Sequence, residues 1–136
     1  MVENVAPAET WQALAENPRA HVVDVRTDAE WAFVGIPDLA PVGKRLAAIS
    51  WQVFPTMKLN GTFVEQLHAA GFTAEDHLYF LCRTGVRSLH AAAAAIGAGF
   101  PYSYNIADGF EGPADAEGHR GTLAGWKAAG LPWRQR

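Results

Sequence analysis

Two short apolar runs constrain this chain most: HVVDV (His21–Val25) and HLYFL (His77–Leu81). Apolar residues on consecutive positions, rich in β-branched and aromatic types, read as strands buried on both faces. Such strands belong to parallel sheets, because crossover connections lay helices over the sheet. Helical segments lie between and after them. PAETWQALAENP (Pro7–Pro18) starts with a proline suited to an early helical position and closes on a second one. TDAEWAF (Thr27–Phe33) opens with a capping box, Thr27 with Glu30 three residues on. TFVEQLHAAG (Thr62–Gly71) is a helix stopped by Gly71, and VRSLHAAAAAIGAG (Val86–Gly99) is a helix favoured by its alanines.

The rest of the chain is less patterned. LAAISWQVF (Leu46–Phe54) contains a strand, Pro55–Gly61 is a loop, and YSYNI (Tyr102–Ile106) is a strand. GTLAGWKAAG (Gly121–Gly130) reads as a terminal helix ahead of Pro132. Strands alternating with helices predict an α/β domain with a mainly parallel sheet. The 136 residues suit one domain, spanning 1–136, with room for a substantial core.

Bulk properties narrow the function classes. Hydrophobic residues make up 49% and charged residues 18%, the balance of a globular rather than a disordered chain. The net charge of -3 gives no reason to expect a nucleic-acid partner, so an anion site has to be built locally. MVENVAPAETW lacks a basic segment followed by an apolar one, so no signal peptide is expected. The longest low-polarity run, Leu89–Pro101, is too short to span a bilayer. The expected location is the cytoplasm, without membrane attachment. One cysteine makes no internal disulfide, Cys-X-X-Cys pair or multi-cysteine zinc site. The histidines at 21, 68, 77, 90 and 119 form no metal-type helical pair, so neither metal nor cofactor is expected.

The single cysteine stands where a ligand site belongs. Cys82 ends a buried strand and a helix starts a few residues later, and open α/β sheets bind ligands outside the carboxyl ends of their strands. A loop from Cys82 through Arg83, Thr84, Gly85 and Val86 to Arg87 would aim several backbone amides at one point, with Gly85 supplying the unusual backbone angles. Helix-start amides and their dipole stabilise an anion and favour a thiolate. Arg83 and Arg87 add positive charge at close range. This composes a thiolate nucleophile in an anion-binding cup. Ser88 either caps the helix, the simpler reading, or donates to the sulfur. The alternative for Cys82 is a small inert core residue, which the Arg-Thr-Gly-Val-Arg-Ser that follows opposes.

CRTGVRS (Cys82–Ser88) resembles the active-site loop of rhodanese-domain sulfurtransferases, the thiosulfate sulfurtransferase-like family, in its single-domain form. VVDVRTDAEW (Val22–Trp31) resembles the family's Asp-X-Arg segment, YNIADGFEG (Tyr104–Gly112) its late strand and glycine-rich turn, and LAGWKAAGLPW (Leu123–Trp133) its closing segment. The resemblance implies a five-stranded mainly parallel sheet with helices on both faces. It implies a cycle in which Cys82 takes a sulfane sulfur from an anionic donor such as thiosulfate and passes it, as a persulfide, to a thiol or cyanide. Arg26 aligns with the Asp-X-Arg arginine, which faces the donor in many members; a structural ion pair with Glu30 or Asp24 is the alternative. Asp24 itself reads as structural. The spacing Cys-X4-Arg is one residue shorter than the Cys-X5-Arg of related phosphatases and arsenate-reducing enzymes, which favours attack on sulfur over attack on phosphorus.

Two departures stand out. GIPDLAPVGKR (Gly35–Arg45) lacks the histidine and second glycine common after Asp-X-Arg, and Asp108 replaces the first glycine of the late turn. The divergent segment 37–61 leaves donor and acceptor open. Its stretch SWQVFPTM (Ser50–Met57) motivates an alternative: a persulfide carrier or binding module, served by a protein sulfur-relay partner and without thiosulfate turnover.

Overall fold

The computed structural model describes residues 2–135. In chain order its elements are β1 (Glu3–Val5), α1 (Pro7–Glu16), β2 (Ala20–Asp24), α2 (Asp28–Val34), β3 (Ile36–Pro37), a 3-10 turn (Ala40–Val42), β4 (Ala47–Ala48), β5 (Gln52–Val53), β6 (Lys58–Leu59), α3 (Phe63–Ala69), β7 (His77–Leu81), α4 (Val86–Gly97), β8 (Ser103–Ile106) and β9 (Trp133–Arg134). The central sheet is five-stranded, in the order β1-β8-β7-β2-β4, and every pairing in it is parallel.

The two apolar runs lie side by side at its centre. Val22 pairs with Tyr79 and Asp24 with Leu81. Successive side chains leave a strand on opposite faces, so β7 feeds two cores. Leu78 and Phe80, with Cys82 just beyond, enter the core completed by Phe63 and Leu67 of α3 and Ala91, Ala92 and Ala95 of α4. Tyr79 and Leu81 enter the core completed by Leu14 of α1 together with Phe110 and Trp126. Helices therefore cover both faces, as expected. Ala91, Ala92 and Ala95 of α4 are fully buried; their small side chains bring the helix close over the sheet, and with it the loop that precedes it.

Some local expectations need correction. Gly121–Gly130 is a run of turns and bends, not a helix. Gly121, Gly125 and Gly130 all have positive φ, and the amides of Trp126 and Lys127 donate to the carbonyls of Gly109 and Phe110. Tertiary hydrogen bonds here replace the helical ladder that the alanines favour. Pro55–Gly61 is not all loop, because β5 and β6 pair antiparallel as a hairpin. The edge strand β1 and the small β3–β9 pairing were not expected from the sequence; each is too short to leave a periodic signal. The Thr27–Glu30 capping box forms as read, with both reciprocal bonds present.

Candidate active site

The parallel register brings the chemistry to one edge of the sheet. Asp24 and Leu81 end adjacent strands, and Val25 N donates to Leu81 O at 2.8 Å. The Asp24–Arg26 segment thus stands beside the Cys82 loop. On the other side β8 places Asn105 level with Phe80, two residues before the sulfur.

The loop from Cys82 to Gly85 wraps its own sulfur. Gly85 N donates to Cys82 Sγ at 3.0 Å. This needs Gly85 at φ 102, where it also serves as the N-cap of α4. That left-handed backbone favours glycine. Ser88 is one turn into the helix, so it is not the cap that the sequence suggested; its Oγ lies 3.1 Å from Cys82 Sγ. Val86, Arg87 and Ser88 contribute the opening amides of α4, which have no intrahelical acceptor. The cysteine is 1% exposed, while Arg83 and Val86 are exposed and Thr84 is half-buried.

A turn behind the loop holds its base. Phe110 N donates to Cys82 O at 2.8 Å, and Glu111 N and Gly112 N donate to Arg83 O at 3.0 and 3.2 Å. Gly109 sits so close that an added Cβ would lie 2.5 Å from Arg83 O. Asp108, where the family commonly has glycine, keeps the left-handed backbone at φ 63. Aspartate tolerates that region better than most residues, so the turn survives the replacement.

The arginines divide differently from the sequence expectation. Arg87 Nη1 and Nη2 donate to Glu30 Oε1 and Oε2 at 2.6 and 2.8 Å. Glu30 Oε1 also accepts from Thr27 N and Thr27 Oγ1, so the capping-box carboxylate anchors the loop arginine. Burial pushes the Glu30 carboxyl up, but the Arg87 bonds and charge, with Thr27, outweigh it and hold it below the ordinary value. The Glu30 bonds raise Arg87 against the opposing effect of burial, with the charges of Cys82 and Asp24 adding to the rise.

Arg26, read from the sequence either as facing a donor or as part of a structural ion pair, is 0% exposed. Its Nε and Nη2 form a forked pair with Asp24, with Nη2 at 2.7 Å from Oδ2 and also donating to Gly35 O at 2.8 Å. Its guanidinium carbon lies 4.3 Å from the Phe110 ring centroid. Of the two ion-pair partners considered for Arg26, Asp24 is the one used; Glu30 is taken by Arg87. No group of three or more His, Cys, Asp or Glu side chains among the described residues is placed to hold a metal.

Two contributors escaped the sequence reading. Glu30 was visible as a capping residue and as a candidate partner of Arg26, not as the partner of Arg87. Asn105 lies in the late strand that carries the family resemblance, but nothing in Ser103–Ile106 singled it out as a partner of the Cys82 loop. It is buried, accepts from Ser88 through Oδ1, and donates to Gly85 O and Asn4 Oδ1. Surface clefts lined by Lys44, Arg45 and Arg134, and by Arg19, His21 and Asp76, contain none of the loop residues.

Comparison with known proteins bears on the family and the fold. The profile of the Rhodanese-like domain matches residues 6–116. An uncharacterised protein of Rickettsia rickettsii is 36% identical over 135 residues, covering 98% of each chain. A crystal structure of an M. tuberculosis protein superposes with a TM-score of 0.89 at 43% identity, over 99% of this chain and 98% of that one. The solution structure of the 30 kDa polysulfide-sulfur transferase homodimer from Wolinella succinogenes matches with a TM-score of 0.69 at 24% identity, over 99% of this chain and 80% of that one.

Proposed function

The chain belongs to the Rhodanese-like domain family, and from that premise we propose that it is a sulfurtransferase, acting as one domain, with Cys82 as the sulfur carrier. The observation that carries this reading is the convergence on one sulfur. The Gly85 amide and the Ser88 hydroxyl lie 3.0 and 3.1 Å from Sγ, with the Arg87 guanidinium near enough to feel its charge.

The Cys82 thiolate attacks the outer sulfur of an anionic donor such as thiosulfate. A new S–S bond forms, the old one breaks, and sulfite leaves with the bonding pair. The persulfide then faces an acceptor thiolate or cyanide. That nucleophile takes the outer sulfur and returns Cys82 to the thiolate, so no external oxidant or reductant is consumed. The opening amides of α4, Gly85 N and the guanidiniums of Arg83 and Arg87 hold the charge at each stage; fixed dipoles do this without the reorganisation that water would need. Thr84 and Val86 shape the rim. Arg26 acts from beneath, fixing Asp24 and the strand end from which the neighbouring wall rises. A thiol that returns to the reduced state each cycle suits a reducing compartment, so the cytoplasm is part of the proposal. Among the described residues no helix is long and apolar enough to cross a membrane.

A second reading is favoured by the β5–β6 hairpin. Val53, Phe54, Met57 and Leu59 on it are all exposed. The hairpin rises from the same sheet edge as Cys82, since Trp51 N donates to Val25 O and Ser50 Oγ to Arg26 O. An apolar wall there suits a protein partner that delivers or collects sulfur, making the chain a persulfide carrier or binding module. Polysulfide joins the donors to try, by likeness to the Wolinella protein.

Intact mass after incubation with thiosulfate, then cyanide, separates the readings. The wild-type chain is expected to gain one sulfur that cyanide removes, and Cys82→Ser to gain none. A wild-type chain that stays unloaded by thiosulfate and polysulfide but accepts sulfur from a protein persulfide supports the carrier reading. No loading from any of these donors refutes both.

A further inference from the structure

Ser88 has one hydroxyl proton and two acceptors within reach: Cys82 Sγ at 3.1 Å and Asn105 Oδ1 at 2.5 Å. The Asn105 amide is fixed in direction. Its Nδ2 donates to Gly85 O at 3.0 Å and to Asn4 Oδ1 at 2.9 Å. A flipped amide would set its oxygen against the Gly85 carbonyl, acceptor against acceptor. Oδ1 therefore faces the hydroxyl, and two oxygens this close are stable only with a proton between them. Ser88 is 0% and Asn105 4% exposed, so bulk water does not readily replace either partner.

We propose that Asn105 is a positioning residue that sets where the Ser88 proton points and thereby favours the states of Cys82 in which Sγ is uncharged. This rests on the reading of Cys82 as the sulfur carrier. With Sγ as a thiol, S–H donates to Ser88 Oγ and Ser88 donates to Asn105 Oδ1. When the thiol proton leaves to solvent, the thiolate draws the hydroxyl proton, because a hydrogen bond to an anion is stronger than one to a neutral amide. Ser88 keeps its proton and rotates it from Oδ1 to Sγ. Ser88 Oγ and Asn105 Oδ1 are then left lone pair to lone pair, which costs free energy in a buried site. Attack of Sγ on the outer sulfur of a donor forms the S–S bond, the donor remnant leaves with the electron pair, and Sγ is neutral again. The hydroxyl swings back to Asn105. The amide thus tilts the cup away from the bare thiolate and towards the loaded persulfide, which slows loss of the carried sulfur.

The side-chain hydrogen bonds of Asn105 run to Ser88, Gly85 and Asn4, not to the charged groups around the sulfur. Those groups are Arg87 of α4 with its partner Glu30 of α2, the loop residue Arg83, the Asp24–Arg26 pair at the end of β2, and Asp108 in the turn behind Gly85.

The test is iodoacetamide alkylation of Cys82 followed by mass across pH in the full chain. It needs no sulfur donor, so its outcome is separate from that of the sulfur-transfer reading. Asn105→Ala is expected to speed alkylation by about three- to tenfold on the acid side of the profile, moving the profile to lower pH. In a Ser88→Ala background the same change is expected to leave the profile unmoved, because the amide no longer has a hydroxyl to act through. Equal shifts in both backgrounds, a shift to higher pH, or no shift in either would overturn the proposal. The wild-type chain provides a check that needs no folded Asn105 variant. The side-chain carbonyl carbon resonance of Asn105 should follow the Cys82 titration in wild type and not in Ser88→Ala. A resonance that ignores the titration, or follows it in both proteins, refutes the idea.

Discussion

Arg87 reaches the Cys82 loop already bound at both Nη atoms to Glu30, at 2.6 and 2.8 Å. The Arg87 guanidinium is therefore held at a fixed position by a carboxylate from α2. Its long side chain is ordered before any donor arrives, so less conformational freedom is lost on binding. The pair is about 20% exposed on both sides, enough shielding for geometry to matter more than in an open surface pair.

Arg87→Lys keeps the charge but not the fork. A lysine ammonium makes no bidentate pair with Glu30, so its position relative to the sulfur is no longer fixed. Thiosulfate:cyanide transfer is expected to fall about a hundredfold in kcat/KM, the loss typical of removing one preorganised donor at a developing anion. Steady-state assays at two ionic strengths check this; an unchanged kcat/KM would mean Arg87 is only a brace.

Glu30 ties stability to acid. Its carboxyl sits below the ordinary value of 4.5, so around that pH the unfolded chain binds the proton more readily than the folded one. Stability from the Arg87–Glu30 pair is then complete above about pH 4.5 and is lost as the pH falls below it. Urea midpoints between roughly pH 3 and 6 are expected to drop more steeply for wild type than for Glu30→Gln. Parallel curves would show that other carboxylates carry the acid sensitivity.

Gly109→Ala tests the brace behind the cup. The residue is at φ 64, and its new Cβ would collide with the backbone carbonyl of Arg83. Backbone strain alone predicts a loss of about 1–3 kcal/mol, and relief of the clash displaces Cys82. A lower urea midpoint at unchanged slope, together with slower sulfur loading, is the expected pair of results.

Arg26→Met removes one half of a buried ion pair. Asp24, at 0% exposure, would lose its main partner, which costs about 3–5 kcal/mol. Denaturation should register that loss. The persulfide formed per folded molecule should stay near wild type, because Arg26 is not open to the donor; a selective loss of loading in well-folded protein would restore it as a binding residue.

Much of this was legible in the chain. HVVDV and HLYFL are apolar on both faces, which allows no placement but the middle of a covered parallel sheet. Thr27 and Glu30 form a cap whose bonds are local, and the cysteine at the strand end follows from HLYFL. GTLAGWKAAG misleads because its alanines favour helix, while three positive-φ glycines and the bonds to Gly109 and Phe110 are tertiary demands. The hairpin at Gln52–Leu59 was hidden for a similar reason: each strand has two residues, too few for a period.

The sequence by itself determined the α/β class and the strand-to-helix turn at Cys82, because these depend on neighbours along the chain. Partner choice did not. Arg87 with Glu30 57 residues away and Ser88 with Asn105 17 residues away were decided by the tertiary arrangement. Asp24 level with Leu81, and Phe80 level with Asn105, bring these side chains to one sheet edge. A parallel register is fixed by packing on two faces at once, and that information is spread over the whole core.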